Sequence, residues 1–470
     1  MKVEQIYTGC LSQGAYYIES NGEVAIIDPL REVDGYIEKA EADNASIKYI
    51  FETHFHADFV SGHVTLSKKT GAPIVYGPLA NPEFEVVIAE DNQEFKLGEV
   101  TIKVLHTPGH TMESTCYLLI DEKGKEHSLF SGDTLFLGDV GRPDLAQKAN
   151  DVTQEDLAGI LFDSLRNKIM PLADDLIIYP GHGAGSACGK NMMKETVDTL
   201  GNQRVMNYAI REDMTKKEFV DEVTEGLEAP PIYFPLNVKM NKTGYEDIDV
   251  VIKKGLRPYS PNEFEVVANE TGAVVLDVRH QDDFVKGFVP QSIFIGIDGG
   301  FAPWVGALIK DVEQTILLVA PEGKEEEVIT RLSRVGFDNT IGFLNGGMSA
   351  WIEAGKEIDT IESTSPGNIE KLLIDNSKLP VLDVRKDSEY SAEHMSCAIN
   401  TPLSMLNDHL SSLPQEGTFY VHCAGGYRSV IAASLLKKRG FHNLVNIEKG
   451  FAGIKETGIP VTEFVCPTTL

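Results

Sequence analysis

Thr53-His54-Phe55-His56-Ala57-Asp58-Phe59 carries two imidazoles and a carboxylate in one short stretch. In an extended segment residues i and i+2 point the same way, so His54 and His56 can face one point. The stretch follows Ile47-Lys48-Tyr49-Ile50-Phe51, a strand by its length and its β-branched and aromatic content. Further out, other apolar runs end on similar residues. Val24-Ala25-Ile26-Ile27 stops at Asp28-Pro29, and Thr101-Ile102-Lys103-Val104-Leu105 leads into His106-Thr107-Pro108-Gly109-His110. Leu129-Phe130 leads into Ser131-Gly132-Asp133, and Leu176-Ile177-Ile178-Tyr179 into Pro180-Gly181-His182. Strand ends are rigid and open at one edge, which suits a reaction centre. One histidine in such a place is most simply structural. Several ligand-type groups, ordered along strand ends and flanked by glycines that permit close approach, point to a metal centre.

The chain around these runs is long for one core. With 470 residues and roughly 150 per domain, two to four domains are expected. Apolar content of 42% and charged content of 24% are those of a soluble globular protein. No segment approaches the roughly 20 apolar residues of a membrane span. Met1-Lys2-Val3-Glu4-Gln5 does not read as a secretory leader, so a cytoplasmic location is expected. The formal net charge of −29 repels nucleic acid and anionic lipid, so neither is an expected partner. Six cysteines stand at 10, 116, 188, 397, 423 and 466 with no Cys-x-x-Cys pair, which argues against zinc ribbons and dithiol redox motifs. A disulfide scaffold is not expected in a long intracellular chain.

A helical, charged stretch is expected from about Met193 to Glu228. Ala229-Pro230-Pro231 and a polar connection to about Asn262 then mark a boundary. This divides the chain into a domain at 1–245, a linker at 246–262, and two further domains at 263–360 and 361–470. Those two are an internal repeat. Val274-Val275-Leu276-Asp277-Val278-Arg279 returns as Pro380-Val381-Leu382-Asp383-Val384-Arg385, and Gly336-Phe337-Asp338-Asn339 as Gly440-Phe441-His442-Asn443. Gly346-Gly347 returns as Gly450-Phe451. Each copy reads as one α/β unit.

In the second copy, Tyr420-Val421-His422 leads into Cys423-Ala424-Gly425-Gly426-Tyr427-Arg428-Ser429 and then an apolar helix. A cysteine at a helix N-terminus, with glycines that let backbone N–H groups turn inward, has its thiolate stabilised. Arg428 adds a cation. The simpler reading, a buried strand-end cysteine, leaves Gly-Gly and Arg unexplained. In the first copy, counting back from Gly336 sets Val319 opposite Cys423 and Lys324 opposite Arg428. Val319 is no nucleophile, and Glu322, Glu325, Glu326 and Glu327 oppose an anion there, so this copy is expected to be catalytically silent.

The order His-x-His-x-Asp, Gly-His-Thr, Gly-Asp-Thr, Gly-His-Gly resembles the metallo-β-lactamase superfamily over residues 1 to about 245. The resemblance implies an αβ/βα sandwich. In its binuclear hydrolases, such as glyoxalase II, a histidine follows the Asp of the first motif. Here Phe59 does, and a benzyl group cannot ligate. A second metal would be left with Asp58, His182 and a shared Asp133. Two histidines and a carboxylate on one face, with open positions opposite, form the facial triad of non-haem Fe(II) oxygenases. Gly132-Asp133-Thr134-Leu135-Phe136 running into Gly138-Asp139-Val140-Gly141-Arg142-Pro143-Asp144-Leu145, with Tyr179-Pro180-Gly181-His182-Gly183-Ala184-Gly185-Ser186, resembles the persulfide dioxygenase branch. That resemblance implies His54, His110 and Asp133 as the triad for one Fe(II) per chain. His56 is a further candidate ligand or, with Asp58 and His182, an outer group that orients ligands or handles protons. Arg142 is a candidate for holding the anionic end of a thiol substrate, or else makes a loop salt bridge. His63 and His106 read as structural.

The Cys423 loop is one residue shorter than the phosphate loop of tyrosine phosphatases and resembles the rhodanese family, whose cysteine carries a persulfide. Asp383-Val384-Arg385 and Glu393-His394, followed by Ala398-Ile399-Asn400, add to that likeness. Cys397 stands where that family usually has glycine and is given no role. The whole chain thus looks like an α/β enzyme: a metallo-β-lactamase sandwich followed by two rhodanese-like domains with parallel sheets. The fusion implies a sulfide-detoxifying persulfide dioxygenase and sulfurtransferase, with a low-molecular-weight thiol persulfide, O2 and sulfite as reaction partners and Cys423 and Arg428 as catalytic residues. Its rivals are a zinc-dependent glyoxalase II-like thioester hydrolase and a non-enzymatic sulfur carrier. Superfamily members often dimerise, which leaves a homo-oligomer open.

Overall fold

The computed structural model describes residues 1–145, 152–227 and 229–466. The chain splits into two compact units, Met1–Val250 with Leu332–Gly336, and Val251–Arg331 with Phe337–Leu470.

The first unit holds two six-stranded sheets. One runs in sequence order through β1 (Lys2–Thr8), β2 (Gln13–Ser20), β3 (Glu23–Ile27), β4 (Ser46–Phe51), β5 (Ile74–Tyr76) and β6 (Val87–Ile88). It begins antiparallel and becomes parallel from β3 onward. The other holds β7 (Glu94–Leu97), β8 (Val100–His106), β9 (Thr115–Ile120), β10 (Glu126–Gly132), β11 (Ile177–Pro180) and β12 (Asp198–Thr199). Only its β10–β11 pair is parallel.

Strand alternation explains how the layers stack. Ala25 and Ile27 share one core with Tyr16, Ile102, Val104 and Phe130, so the two sheets meet face to face there. Their neighbours Val24 and Ile26 point the other way, onto Tyr36, Ala40 and Leu66 of the helices Asp34–Ala42 and His63–Thr70. Leu105, Leu118 and Leu129 likewise pack on Ala158 and Leu161 of the helix Gln154–Ser164 and on Phe219 of the helix Lys216–Thr224. The result is the expected αβ/βα sandwich. β4, β8, β10 and β11 end just before His54, His110, Asp133 and His182.

The stretch expected to be helical from Met193 is broken. The helices Leu200–Met206 and Lys216–Thr224 are separated by a short turn of helix at Tyr208–Ile210. Asn207 and Thr215 each cap a new segment with a side-chain oxygen, which ends the old helix and starts the next. Glu228, the expected end, lies outside the described residues. Residues 246–262, read as a linker, instead hold the helix Ile248–Gly255 and the short strand β13 (Pro258–Tyr259). Ile248 and Val251, three apart, are buried, a helical spacing hidden among lysines and aspartates.

The second unit contains the repeat. β13, β14 (Val274–Asp277), β15 (Ile293–Phe294), β16 (Ile316–Val319) and β17 (Thr340–Leu344) form a parallel sheet in the order β13-β17-β16-β14-β15. β18 (Ser363–Thr364), β19 (Val381–Asp383), β20 (Ala398–Asn400), β21 (Phe419–His422) and β22 (Leu444–Ile447) repeat it as β18-β22-β21-β19-β20. Both Asp-Val-Arg motifs are structural clamps. Arg279 pairs with Asp277 and donates to the Gly287 carbonyl at 2.9 Å, and Arg385 pairs with Asp383 and donates to the Glu393 carbonyl at 2.9 Å. Among the described residues no helix is long and apolar enough to cross a membrane.

Candidate metal centre and cysteine loop

β3 ends at Asp28, whose carboxylate accepts from the Thr53 backbone N–H and from the Thr53 hydroxyl, both at 2.8 Å. That hydroxyl has spent its proton, so at 3.0 Å it accepts from Nδ1 of His54. Nε2 of His54 is left bare. His110 is oriented in the same sense, its Nδ1 donating to the Arg142 carbonyl at 2.8 Å. The two Nε2 atoms lie 3.9 and 3.6 Å from Asp133 Oδ2. Asp133 Oδ1 accepts from His182 Nδ1 at 2.8 Å, whereas Oδ2 is buried without a hydrogen-bond partner.

An unpaired buried polar atom costs about 1–3 kcal/mol, more if charged. Burial would push the Asp133 carboxyl up, but the charge and hydrogen bond of His182 hold it well below the usual carboxylate range. Burial, helped by neighbouring His56, keeps the His54 imidazole neutral. Two bare imidazole nitrogens and one carboxylate oxygen therefore converge within 4.8 Å of one another. A divalent cation satisfies all three, and the residues fit one. Gly181 belongs to the same design, since a Cβ there would come within 2.6 Å of Asp133 Oδ1.

His56 faces elsewhere. Its Nε2 lies 3.1 Å from Asp28 Oδ1 and 3.6 Å from Glu52 Oε2, and these three form a separate buried group. Its ring packs 4.4 Å, centroid to centroid, from that of Phe59, which is fully buried. Asn241 fixes this corner by donating to the carbonyls of His56 and Phe59, both at 2.8 Å. Asp58 accepts from His182 Nε2 at 2.7 Å, so His182 bridges Asp58 and Asp133. Burial alone would push this imidazole down, but the two carboxylates hold it well above its ordinary value. Cys188 joins Asp58 and His182 in a third buried group. His106 donates from Nε2 to the Met112 carbonyl at 2.9 Å. His63 lies between Phe84 and Tyr245.

The Arg142 guanidinium makes a two-point pair with Asp144 at 2.6 and 2.7 Å and donates to the Ala187 carbonyl at 3.2 Å. The structure thus gives Arg142 a positional part as well: its side chain ties the loop whose carbonyl orients His110.

In the second unit β21 ends at His422, and Cys423 opens the loop. Gly426, at φ 109°, adopts a left-handed conformation that favours glycine and donates its N–H to Cys423 Sγ at 3.1 Å. The helix Tyr427–Lys438 starts at the next residue. Ser429 Oγ lies 3.7 Å from Sγ. Arg428 is held by Glu389 at 2.6 and 2.8 Å.

Strand register corrects both pairings in the first copy, setting Glu325 rather than Lys324 opposite Arg428. Asp277 pairs with Val319 as Asp383 pairs with His422. Ala320, not Val319, therefore stands opposite Cys423. The segment from Ala320 to Gly336 is one residue shorter than that from Cys423 to Gly440, which is why counting back from the glycine slipped by one. Neither residue is a nucleophile.

The sequence model of the Metallo-beta-lactamase superfamily matches residues 8–182, and that of the Rhodanese-like domain matches 260–354 and 365–457. The chain belongs to the metallo-beta-lactamase superfamily and carries two rhodanese-like domains. A crystal structure of a metallo-beta-lactamase from Staphylococcus aureus subsp. aureus COL is 31% identical, with a TM-score of 0.64, covering 73% of this chain and 98% of that one. Among curated proteins, the probable hydroxyacylglutathione hydrolase glo2 of Schizosaccharomyces pombe is 33% identical over 34% of this chain and 58% of its own length. The hydroxyacylglutathione hydrolase of Rhizobium etli is 32% identical over 44% of this chain and 75% of its own. The chain spans little more than half the length of the first of these.

Sequence reasoning missed three members of these buried groups. Asp28 was visible only as a strand end before proline, and Glu52 only as the residue before Thr53. Cys188 had no charged neighbour in sequence. In the rhodanese-like domain it missed Glu389, whose partner Arg428 is far away in the chain.

Proposed function

We propose that the chain is a persulfide dioxygenase coupled to a sulfurtransferase. The overall reaction of the first domain is R–S–SH + O2 + H2O → R–SH + SO3²⁻ + 2H⁺. The observation that carries this reading is the convergence of His54 Nε2, His110 Nε2 and the unpaired Asp133 Oδ2, with Phe59 where a binuclear hydrolase has a histidine. His54, His110 and Asp133 would hold one Fe(II). Bound there, iron would supply the redox chemistry with O2 that side chains lack.

The chain's own residues do the rest. Asp28, through Thr53, and the Arg142 carbonyl fix the ring tautomers of the two histidines. His182, shared by Asp133 and Asp58, would hold its protons between the two carboxylates beside the metal and keep Asp133 ionised as a ligand. The buried walls exclude water.

Cys423 would carry the sulfane sulfur. Its thiolate attacks the terminal sulfur of a persulfide, the old S–S bond breaks, and the thiolate R–S⁻ departs. Sulfite then attacks the terminal sulfur of the Cys423 persulfide, releasing thiosulfate and restoring the thiolate. The Gly426 N–H supports the anion at each stage.

A second reading, a zinc hydrolase, is favoured by the names of the curated relatives. Comparing iron-loaded and zinc-loaded protein separates the two. Sulfite formation from a persulfide by the iron form supports the dioxygenase. Hydroxyacylglutathione hydrolysis by the zinc form, without oxygen-dependent sulfite formation by the iron form, supports the hydrolase.

A further inference from the structure

The loops that deliver the metal ligands share a support that comes from far along the chain. The turn Leu332–Gly336 stands in the cysteine-less repeat by sequence and belongs to the first unit. It closes the helix Glu325–Arg334. A helix leaves its last four carbonyls without partners of its own, and its C-terminus carries partial negative charge. The Ser333 carbonyl accepts from Arg31 Nη1 at 2.9 Å, and the Arg334 carbonyl accepts from the Val60 N–H at 2.7 Å. Arg31 is fully buried, with Nη2 donating to the Glu246 carbonyl at 2.8 Å and its guanidinium 4.6 Å from the Tyr245 ring centroid. Burying such a cation costs several kcal/mol unless it is well hydrogen-bonded, and the helix end supplies part of what keeps Arg31 inside.

Arg334 reaches three loops. Its carbonyl holds Val60, in the loop after β4 that carries His54, Asp58 and Phe59. Its guanidinium makes a two-point pair with Glu32, Nε lying 3.1 Å from Oε2, in the loop after β3 that begins at Asp28. Nη1 also donates to Cys10 Sγ at 3.4 Å. Beyond Cys10, the Ser12 carbonyl accepts from the Gly183 N–H at 2.8 Å, and Gln13 forms a β-bridge with His182. Gly336, at φ 85°, has no room for a side chain: a Cβ would stand 2.7 Å from Asn237 Oδ1 and 3.0 Å from Met240 Sδ. Both belong to the helix Phe234–Thr243, whose Asn241 holds the carbonyls of His56 and Phe59. The contacts of this one turn thus fall on segments that carry or orient the metal ligands.

We propose that this turn is a positioning element of the metal centre, and that the Glu32–Arg334 pair tunes metal affinity without touching the metal. The turn holds the loops after β3 and β4 in one register. Asp28, in the first of them, fixes the His54 tautomer through Thr53 in the second, by two bonds of 2.8 Å. A slip between the loops would misalign those bonds, and hydrogen bonds weaken steeply with misalignment. The role requires only a metal held by His54, His110 and Asp133, so it holds for a hydrolase as for a dioxygenase. It also gives the cysteine-less repeat a use that needs no nucleophile.

The test is the Co(II) affinity of the metal-stripped full chain, measured by competition with a chromophoric chelator, together with the visible spectrum of the Co(II) form. Glu32→Arg and Arg334→Glu should each weaken Co(II) binding about tenfold, the lower end of what a lost supporting contact costs a metal site, and shift the visible bands. The double variant Glu32→Arg, Arg334→Glu restores the pair with reversed sign and should bind within about twofold of wild type. Arg334→Met keeps the apolar stem and loses only the charge, so it serves where a reversed charge prevents folding, and it should weaken binding about threefold. A merely structural pair would lower the melting temperature of these variants and leave the affinity and spectrum of the folded protein as in wild type. That result in Arg334→Met and Arg334→Glu, or a double variant as weak as the single ones, overturns the proposal. If His54→Ala binds Co(II) as tightly as wild type, the metal centre itself is misassigned and the proposal falls with it.

Discussion

His110 Nδ1 donates to the backbone carbonyl of Arg142 at 2.8 Å, and this one bond decides which nitrogen of His110 faces Asp133. The carbonyl stays in place because the Arg142 side chain is paired with Asp144. Loss of such a supporting contact typically weakens metal affinity 10- to 100-fold. Arg142→Ala and Asp144→Asn should therefore both lower retained iron, read by elemental analysis after equilibration with a chelator. An Arg142→Ala protein with full iron and only a raised KM for persulfide would assign the side chain to substrate alone.

Phe59 fills the space where a second metal's histidine would stand. Phe59→His should allow two metals per chain and bring weak hydroxyacylglutathione hydrolysis. Metal titration followed by calorimetry checks this. Tight binding of two metals by the wild type would refute the role given to Phe59.

The two rhodanese-like copies differ in more than one atom. Cys423→Ser should abolish sulfur transfer from persulfide to sulfite and shift products from thiosulfate to sulfite. Its oxygen uptake should stay near wild type, because the metal ligands lie in the other unit. Ala320→Cys should not restore transfer to Cys423→Ser, since Pro321-Glu322-Gly323-Lys324 follows it where Ala424-Gly425-Gly426-Tyr427 follows Cys423. Transfer by that double variant would show that the loop's N–H groups are unnecessary.

Much of this was legible in the sequence. Runs that stop at His54, His110, Asp133 and His182 disclosed strand ends, because strands covered on both faces are written as short apolar runs rich in β-branched and aromatic residues. The repeat disclosed the second unit. The rest lay in contacts between residues distant in the chain. Nothing near Asp28 says that it meets Thr53, and nothing near Arg428 names Glu389. The helix Ile248–Gly255 escaped because Ile248 and Val251 sit among charges, and Ala320 escaped because a one-residue deletion lies between β16 and Gly336.

Acid sensitivity gives an independent check on burial. Desolvation pushes His63 from its ordinary 6.5 down to about 3. The unfolded chain thus binds a proton between these values that the native state refuses. Stability from this residue is complete above about pH 6.5 and is lost as pH falls towards 3. His63→Phe should flatten the slope of unfolding free energy against pH in that window by up to one proton, measured by urea denaturation. An unchanged slope would show that His63 protonates as easily in the native state as when unfolded.

The most direct test of the central claim is oxygen consumption by anaerobically purified protein of known metal content, supplied with a thiol persulfide. The account predicts about one iron per chain, uptake of one O2 per sulfite formed in the Cys423→Ser background, and loss of both iron and uptake in His54→Ala, His110→Ala and Asp133→Ala. Full activity in an iron-free protein carrying two zinc ions, or no persulfide-dependent uptake by the one-iron protein, would contradict it.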